Sequence, residues 1–180
     1  KPKVQVDFII STIQSDEFKQ NLAEQWKDNG RPAWAQSRFD CLLFDVGEFQ
    51  LAAPLVTLGT IIKKEKPFTR LAGQPDWFMG LLKSDNTNVQ VVNTAKWLMP
   101  DQYDPEFQEN VQFVITLIGH EWGLACSAVQ NAVQMEPEDV KWRSSHNTRP
   151  WVAGTVIDKM CSILDIETLR VILANSDFQQ

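Results

Sequence analysis

The chain has 180 residues, 43% hydrophobic and 22% charged, with a net charge of −6 and a pI near 4.9. That is enough for one domain with a real core, too apolar for a disordered tail and too acidic for a strongly basic nucleic-acid binder. No apolar run approaches the roughly 20 residues that cross a bilayer, and the start lacks a signal-peptide pattern.

The chain begins at Lys1 without a methionine, which reads as a fragment or a processed product. KVQVDFII, 3–10, alternates and then runs apolar, which suits a short strand or an extended arm over 1–14. Ser15, Asp16 and Glu17 suit a helix start, and Phe18, Leu22 and Trp26 follow on one stripe. Asn29-Gly30 ends that helix and Pro32 marks a loop. FDCLLFDV, 39–46, suits a strand or a buried helical turn.

LAAPLVTLGTII, 51–62, is apolar nearly all round and reads as a helix with Pro54 in its first turn. Lys63, Lys64 and Lys66 stand at its negative end. This segment carries more apolar surface than the core face of one short helix needs. DWFMGLLK, 76–83, reads as a short helix, SDNTN as a turn and NVQVV as a brief strand.

The strongest helix signal follows. Asp104 caps, Pro105 takes the first position, and Phe107, Val111, Val114, Ile118, Ala125, Val129 and Val133 lie near a 3.6 period. The spacing predicts a helix from 105 to about 134. Gly119 and Gly123 weaken it by up to ~1 kcal/mol each, and mark a kink or a close backbone approach. Residues 136–139 start a short helix, and 144–149 form a loop. Pro150 opens a helix with Val152, Val156, Met160 and Ile163 on one face. Asp165 caps a last helix that buries Leu169, Ile172 and Leu173. The class predicted is mainly α: an irregular multi-helix globular domain over 1–180, with two or three short strands.

No catalytic constellation stands out. His120 begins GHEWG, but a zinc-protease pattern needs a second histidine one turn on, and leucine stands there. Cys126 lies six residues from His120, on another helix face, so the two cannot pair within one helix. Asp101, Asp104, Glu106 and Glu109 cluster where a helix start explains them. There is no phosphate loop, and no metal or cofactor is expected. Cys41, Cys126 and Cys161 are odd in number and far apart, which suits reduced core thiols in an intracellular, cytoplasmic protein.

Two basic-aromatic stretches remain. One holds Lys63, Lys64, Lys66 and Arg70 beside Phe68; the other is KWRSSHNTRPW, with Lys141, Trp142, Arg143, His146, Arg149 and Trp151. Cations that follow phosphates and rings that stack bases are what single-stranded nucleic-acid sites use. The alternative is a solvated loop flanked by two core tryptophans.

Trp26-Lys27, Arg38-Phe39, Pro54-Leu55-Val56 and Gly59 resemble the coat proteins of rod-shaped plant viruses. The family's Arg/Asp pairs near its RNA-contacting helix and its C-terminal Phe-to-Trp signature are not evident. The resemblance implies a self-assembling helical protein and nothing finer.

The first function expected is therefore a non-enzymatic structural or interaction domain, acting by self-association or by docking another protein. Seven dispersed tryptophans and the apolar 51–62 segment support it. The alternatives are a nucleoprotein- or coat-like unit using 63–70 and 141–151, and an enzyme assembled from distant residues such as His146 with Cys126 or Glu121. No membrane partner is expected.

Overall fold

Residues Phe39–Val46 form strand β1, and nearly all of it is buried. Leu42, Phe44 and Val46 pack into one core; Phe39, Cys41 and Leu43 pack into a second. Successive side chains of a strand point to opposite faces, so an apolar run without alternation is what a strand between two cores requires. The computed structural model describes residues 25–84, 87–119, 121–144 and 149–176. The arm expected over 1–14, the helix start at Ser15, His120 and His146 lie outside the described residues.

From β1 the chain turns at Gly47 (φ 61°) into β2, Phe49–Pro54. A 3-10 turn, Leu55–Thr57, leads to β3, Leu58–Lys63. Strands β4, Phe78–Ser84, and β5, Thr87–Val92, precede two short helices, α1, Thr94–Leu98, and α2, Phe107–Asn110. Then come β6, Phe113–Leu117, β7, Trp122–Cys126, and β8, Ala128–Met135. Strands β9, Val140–Trp142, β10, Val152–Val156, and β11, Cys161–Leu164, lead to the last helix, α3, Ile166–Ala174.

The strands make two sheets. One has six strands in the order β8-β1-β2-β11-β10-β9, the other five in the order β3-β6-β7-β5-β4. Pairing is antiparallel except for β11 with β2 and β5 with β7. All six strands of the first sheet feed the smaller core, so this sheet curls round it. The larger core takes the other face of β1 and β2, the buried residues of β5, β6 and β7, and the helices α1 and α3. The seven tryptophans follow this division. Trp122, Trp77, Trp97 and Trp151 form a chain in the larger core, with successive ring centres 6.3, 4.6 and 5.9 Å apart. Trp26 and Trp34 meet Trp142 beside the smaller core, at 6.2 and 5.6 Å.

The fold is thus mainly β, which corrects the expected mainly α class. The helix expected over 51–62 is β2, the 3-10 turn and β3, with Pro54 as the last residue of a strand, where no continuing ladder needs its N–H. The helix expected over 76–83 is β4. The long helix expected over 105–134 keeps only α2; its remainder is β6, β7 and all but the last residue of β8. Gly119 (φ 95°) turns the chain between β6 and β7. At Gly123 a Cβ would stand 2.5 Å from Val114 Cγ1 and 2.9 Å from Val89 Cγ1, so the two neighbouring strands close over it. The helix expected after Pro150 is the β10–β11 hairpin. The brief strand at NVQVV and the last helix are present as expected. Asp165 Oδ1 accepts from Thr168 N at 3.1 Å, and Leu169, Ile172 and Leu173 are buried.

Candidate docking surface

The basic-aromatic stretch 141–151 turns much of its chemistry inward. Trp151 is 3% exposed and stacks in the larger core, and Trp142 is half-buried between Trp26, Trp34 and Phe39. The Arg143 side chain is 10% exposed and its partner Asp165 is 2% exposed. Arg143 Nη2 donates to Asp165 Oδ2 at 3.1 Å, and Nη1 donates to Val152 O at 2.9 Å and to Pro150 O. The guanidinium carbon stands 4.6 Å from the centre of the Trp26 ring, and the Trp26 indole N–H donates to the same Asp165 oxygen at 3.0 Å. Burial pulls the Arg143 guanidinium below its ordinary pKa, and the Asp165 carboxylate pulls it back up. One arginine thus ties the end of β9, the start of β10, the segment before β1 and the cap of α3.

Lys141 and Arg149 lie at the surface, and His146 is outside the described residues. In the other stretch Lys63, Lys66 and Arg70 are exposed, while Lys64 lies half-buried with its ammonium 5.4 Å from the centre of the Phe68 ring. The two stretches leave different sheets, β3 of the five-stranded and β9 of the six-stranded. With Trp151 enclosed and Trp142 wedged among aromatics, neither indole offers a free face for a base, and the nucleic-acid reading has no support here.

Of the residues weighed for catalysis, His120 and His146 lie outside the described ones, and the described cysteines and carboxylates form no catalytic group. Cys41, Cys126 and Cys161 are free and buried. Burial first, then the nearby Asp45 charge, pushes the Cys126 thiol up to about 12; burial, then Cys161 and Asp40, does the same for Cys41. Burial also raises Cys161. Nucleophilic cysteines need the opposite shift. Glu121 is exposed, and Asp104 serves the backbone, with its Oδ1 accepting from Glu106 N at 3.0 Å. Among the described residues, no group of three His, Cys, Asp or Glu could hold a metal ion. No helix among them is long and apolar enough to cross a membrane.

The thiols give a pH prediction. A thiol raised in the folded state is protonated there while its unfolded counterpart ionises, so its contribution to stability is complete below pH 9 and is lost as pH rises towards 12. At pH 8 Cys41 and Cys126 of the native protein should react with a thiol reagent about a thousandfold more slowly than a free cysteine, from the thiolate fraction alone. Unfolding in denaturant should release all three thiols; fast labelling of Cys41 or Cys126 in the native state would contradict this.

The fold also leaves several large apolar side chains outside. Pro54 closes β2, and Thr57, held by its Oγ1 donating to Pro54 O at 2.7 Å, turns inward. Leu55 and Val56, between them, face solvent, Val56 at 70% exposure. Ile118, just past β6, is exposed too, and its N–H donates to Thr57 O at 3.0 Å. That bond brings the three exposed residues to one corner, a ledge where the chain passes from the six-stranded to the five-stranded sheet. Ile61 stands exposed further along β3, an edge strand. Contiguous apolar surface rimmed by polar residues marks interaction sites more often than scattered leucines do. The sequence pointed at Leu55 and Val56 through the surplus apolar content of 51–62. Ile118 is hidden in the sequence, because its spacing places it on the buried face of the helix expected over 105–134.

A family model described as the CheW-like domain matches residues 40–171 of the chain. No curated protein matches it. Among solved structures, the fold is similar to that of the scaffolding protein TtCheW from Thermoanaerobacter tengcongensis. The identity is 14%, the TM-score is 0.57, and the match covers 70% of this chain and 86% of that one. The match at 40–171 takes in most of the 26–60 segment, whose β1, β2 and β3 are strands. That overturns the helical, coat-like reading.

Proposed function

The chain belongs to the CheW-like domain family, and from that premise we propose that it works as a non-enzymatic scaffold that docks other proteins. The observation that carries the reading is the Leu55–Val56–Ile118 ledge, where three exposed apolar residues meet at the passage between the two sheets. The similarity to a protein titled as a scaffold supports it. The partners we assign are those of a chemotaxis scaffold, a kinase and a receptor. A cytoplasmic setting fits three thiols that are all unpaired and buried.

An apolar contact at the centre of such an interface contributes through burial, and an introduced carboxylate must be desolvated there. Val56→Glu combined with Ile118→Glu should weaken kinase or receptor binding by about 2 kcal/mol or more, close to thirtyfold. Unfolding free energy should move by no more than about 0.5 kcal/mol, because both positions are at the surface. Titration calorimetry with each partner checks the affinity. Unchanged affinity for both partners, with the fold intact, would remove the ledge from the account.

A further inference from the structure

A second surface lies away from the ledge. A cleft of ≈ 290 Å³ opens between the β1–β2 turn and the α1–α2 segment. Its floor is apolar: Val46, Ala95 and Phe107 are buried there, with the flexible Met99 beside them. Its rim carries Glu48, Asp104 and Glu106, all exposed. Among the described residues no lysine or arginine lines the cleft, and none of these three carboxylates is in an ion pair. Nor could the rim gather round a metal ion, since no three such ligands converge. An apolar floor with spaced carboxylates at the lip matches one kind of group: a long cationic side chain, whose methylenes cover apolar surface while its head stays at the rim. The volume lies at the low end of ligand pockets, about 300–1,000 Å³, which suits one or two inserted side chains better than a cofactor.

We propose that this cleft receives a lysine or arginine projecting from an amphipathic segment of a protein partner. The proposal rests on the scaffold reading but concerns a different surface from the ledge. Partners on cleft and ledge at once would let the domain hold two chains together.

The test uses amide spectra of the whole chain, titrated with a short amphipathic peptide of leucines and arginines, and with the same peptide carrying glutamates for arginines. The arginine peptide should give saturable shifts at Gly47, Ala95, Met99 and Phe107, and the glutamate peptide none. Glu48→Gln with Glu106→Gln should weaken the arginine peptide about tenfold, as expected for losing charge-assisted hydrogen bonds. Val56→Glu with Ile118→Glu should leave it unchanged, so a failure of the ledge and a failure of the cleft are told apart. The absence of shifts at the cleft overturns the proposal. So do unsaturable shifts spread over the acidic surface, and shifts at the cleft on concentrating the chain alone, which would make a second copy the occupant.

Discussion

Arg143→Ala is expected to lower the unfolding free energy by about 3–5 kcal/mol, because it leaves Asp165 buried without its cation. Asp165 is 2% exposed, so water cannot replace the guanidinium without opening the structure. The same substitution frees two backbone carbonyls, Pro150 O and Val152 O, and strips the cation from the Trp26 ring. Arg143→Lys should recover only part of the loss, since an ammonium cannot fork between a carboxylate and two carbonyls as the planar guanidinium does. Denaturant unfolding followed by tryptophan fluorescence reads both variants. A loss under about 1 kcal/mol for Arg143→Ala would mean the pair is solvated after all.

Trp97→Ala should be of similar size, about 3–5 kcal/mol, for a different reason. Trp97 is 1% exposed and is the central link of the tryptophan chain, edge-on to Trp77 at 4.6 Å and tilted against Trp151 at 5.9 Å. Its removal leaves a cavity where α1 packs on the larger core, and deletes aromatic pairs that contribute about 0.5–1.5 kcal/mol each beyond their area. The contrast with the ledge is direct: a large apolar residue is replaced in both cases, yet only the inner one should cost stability. Thermal unfolding of Trp97→Ala checks this, and a melting temperature close to that of the parent chain would contradict the packing described.

The last helix could be read from sequence because its signals were local. Asp165 caps, and the apolar residues recur at helical spacing. The strands were obscured by their burial on both faces. All five residues of β7, WGLAC, are buried, and four of the five in β6. A segment with apolar residues at nearly every position satisfies a 3.6 period as readily as a 2.0 period, so periodicity could not separate them. Gly119 and Gly123 were the better clue. The first sits at a φ suited to a hairpin turn, and the second where neighbouring side chains leave no room for a Cβ.

The stretch 141–151 shows a second limit. Composition reveals that cations and tryptophans are close in sequence, not where they point. Arg143 is oriented by Asp165, 22 residues on, and by Trp26, far upstream. Cysteine chemistry was easier, since odd number and wide spacing already suited core thiols, and all three are buried. The ledge is half-visible: Pro54 and the surplus apolar residues after it stand out, but their pattern suits a helix as well as the turn that displays Leu55 and Val56.

Amide hydrogen exchange of the whole chain, alone and saturated with the kinase or receptor proposed as its partner, tests the central claim most directly. Docking on the ledge predicts slowed exchange at Leu55–Leu58 and at Leu117–Ile118, with the amides round Arg143 and α3 unchanged. Slowed exchange confined to Lys63–Arg70 and Lys141–Arg149, with 55–58 and 117–118 as fast as in the free chain, would contradict it.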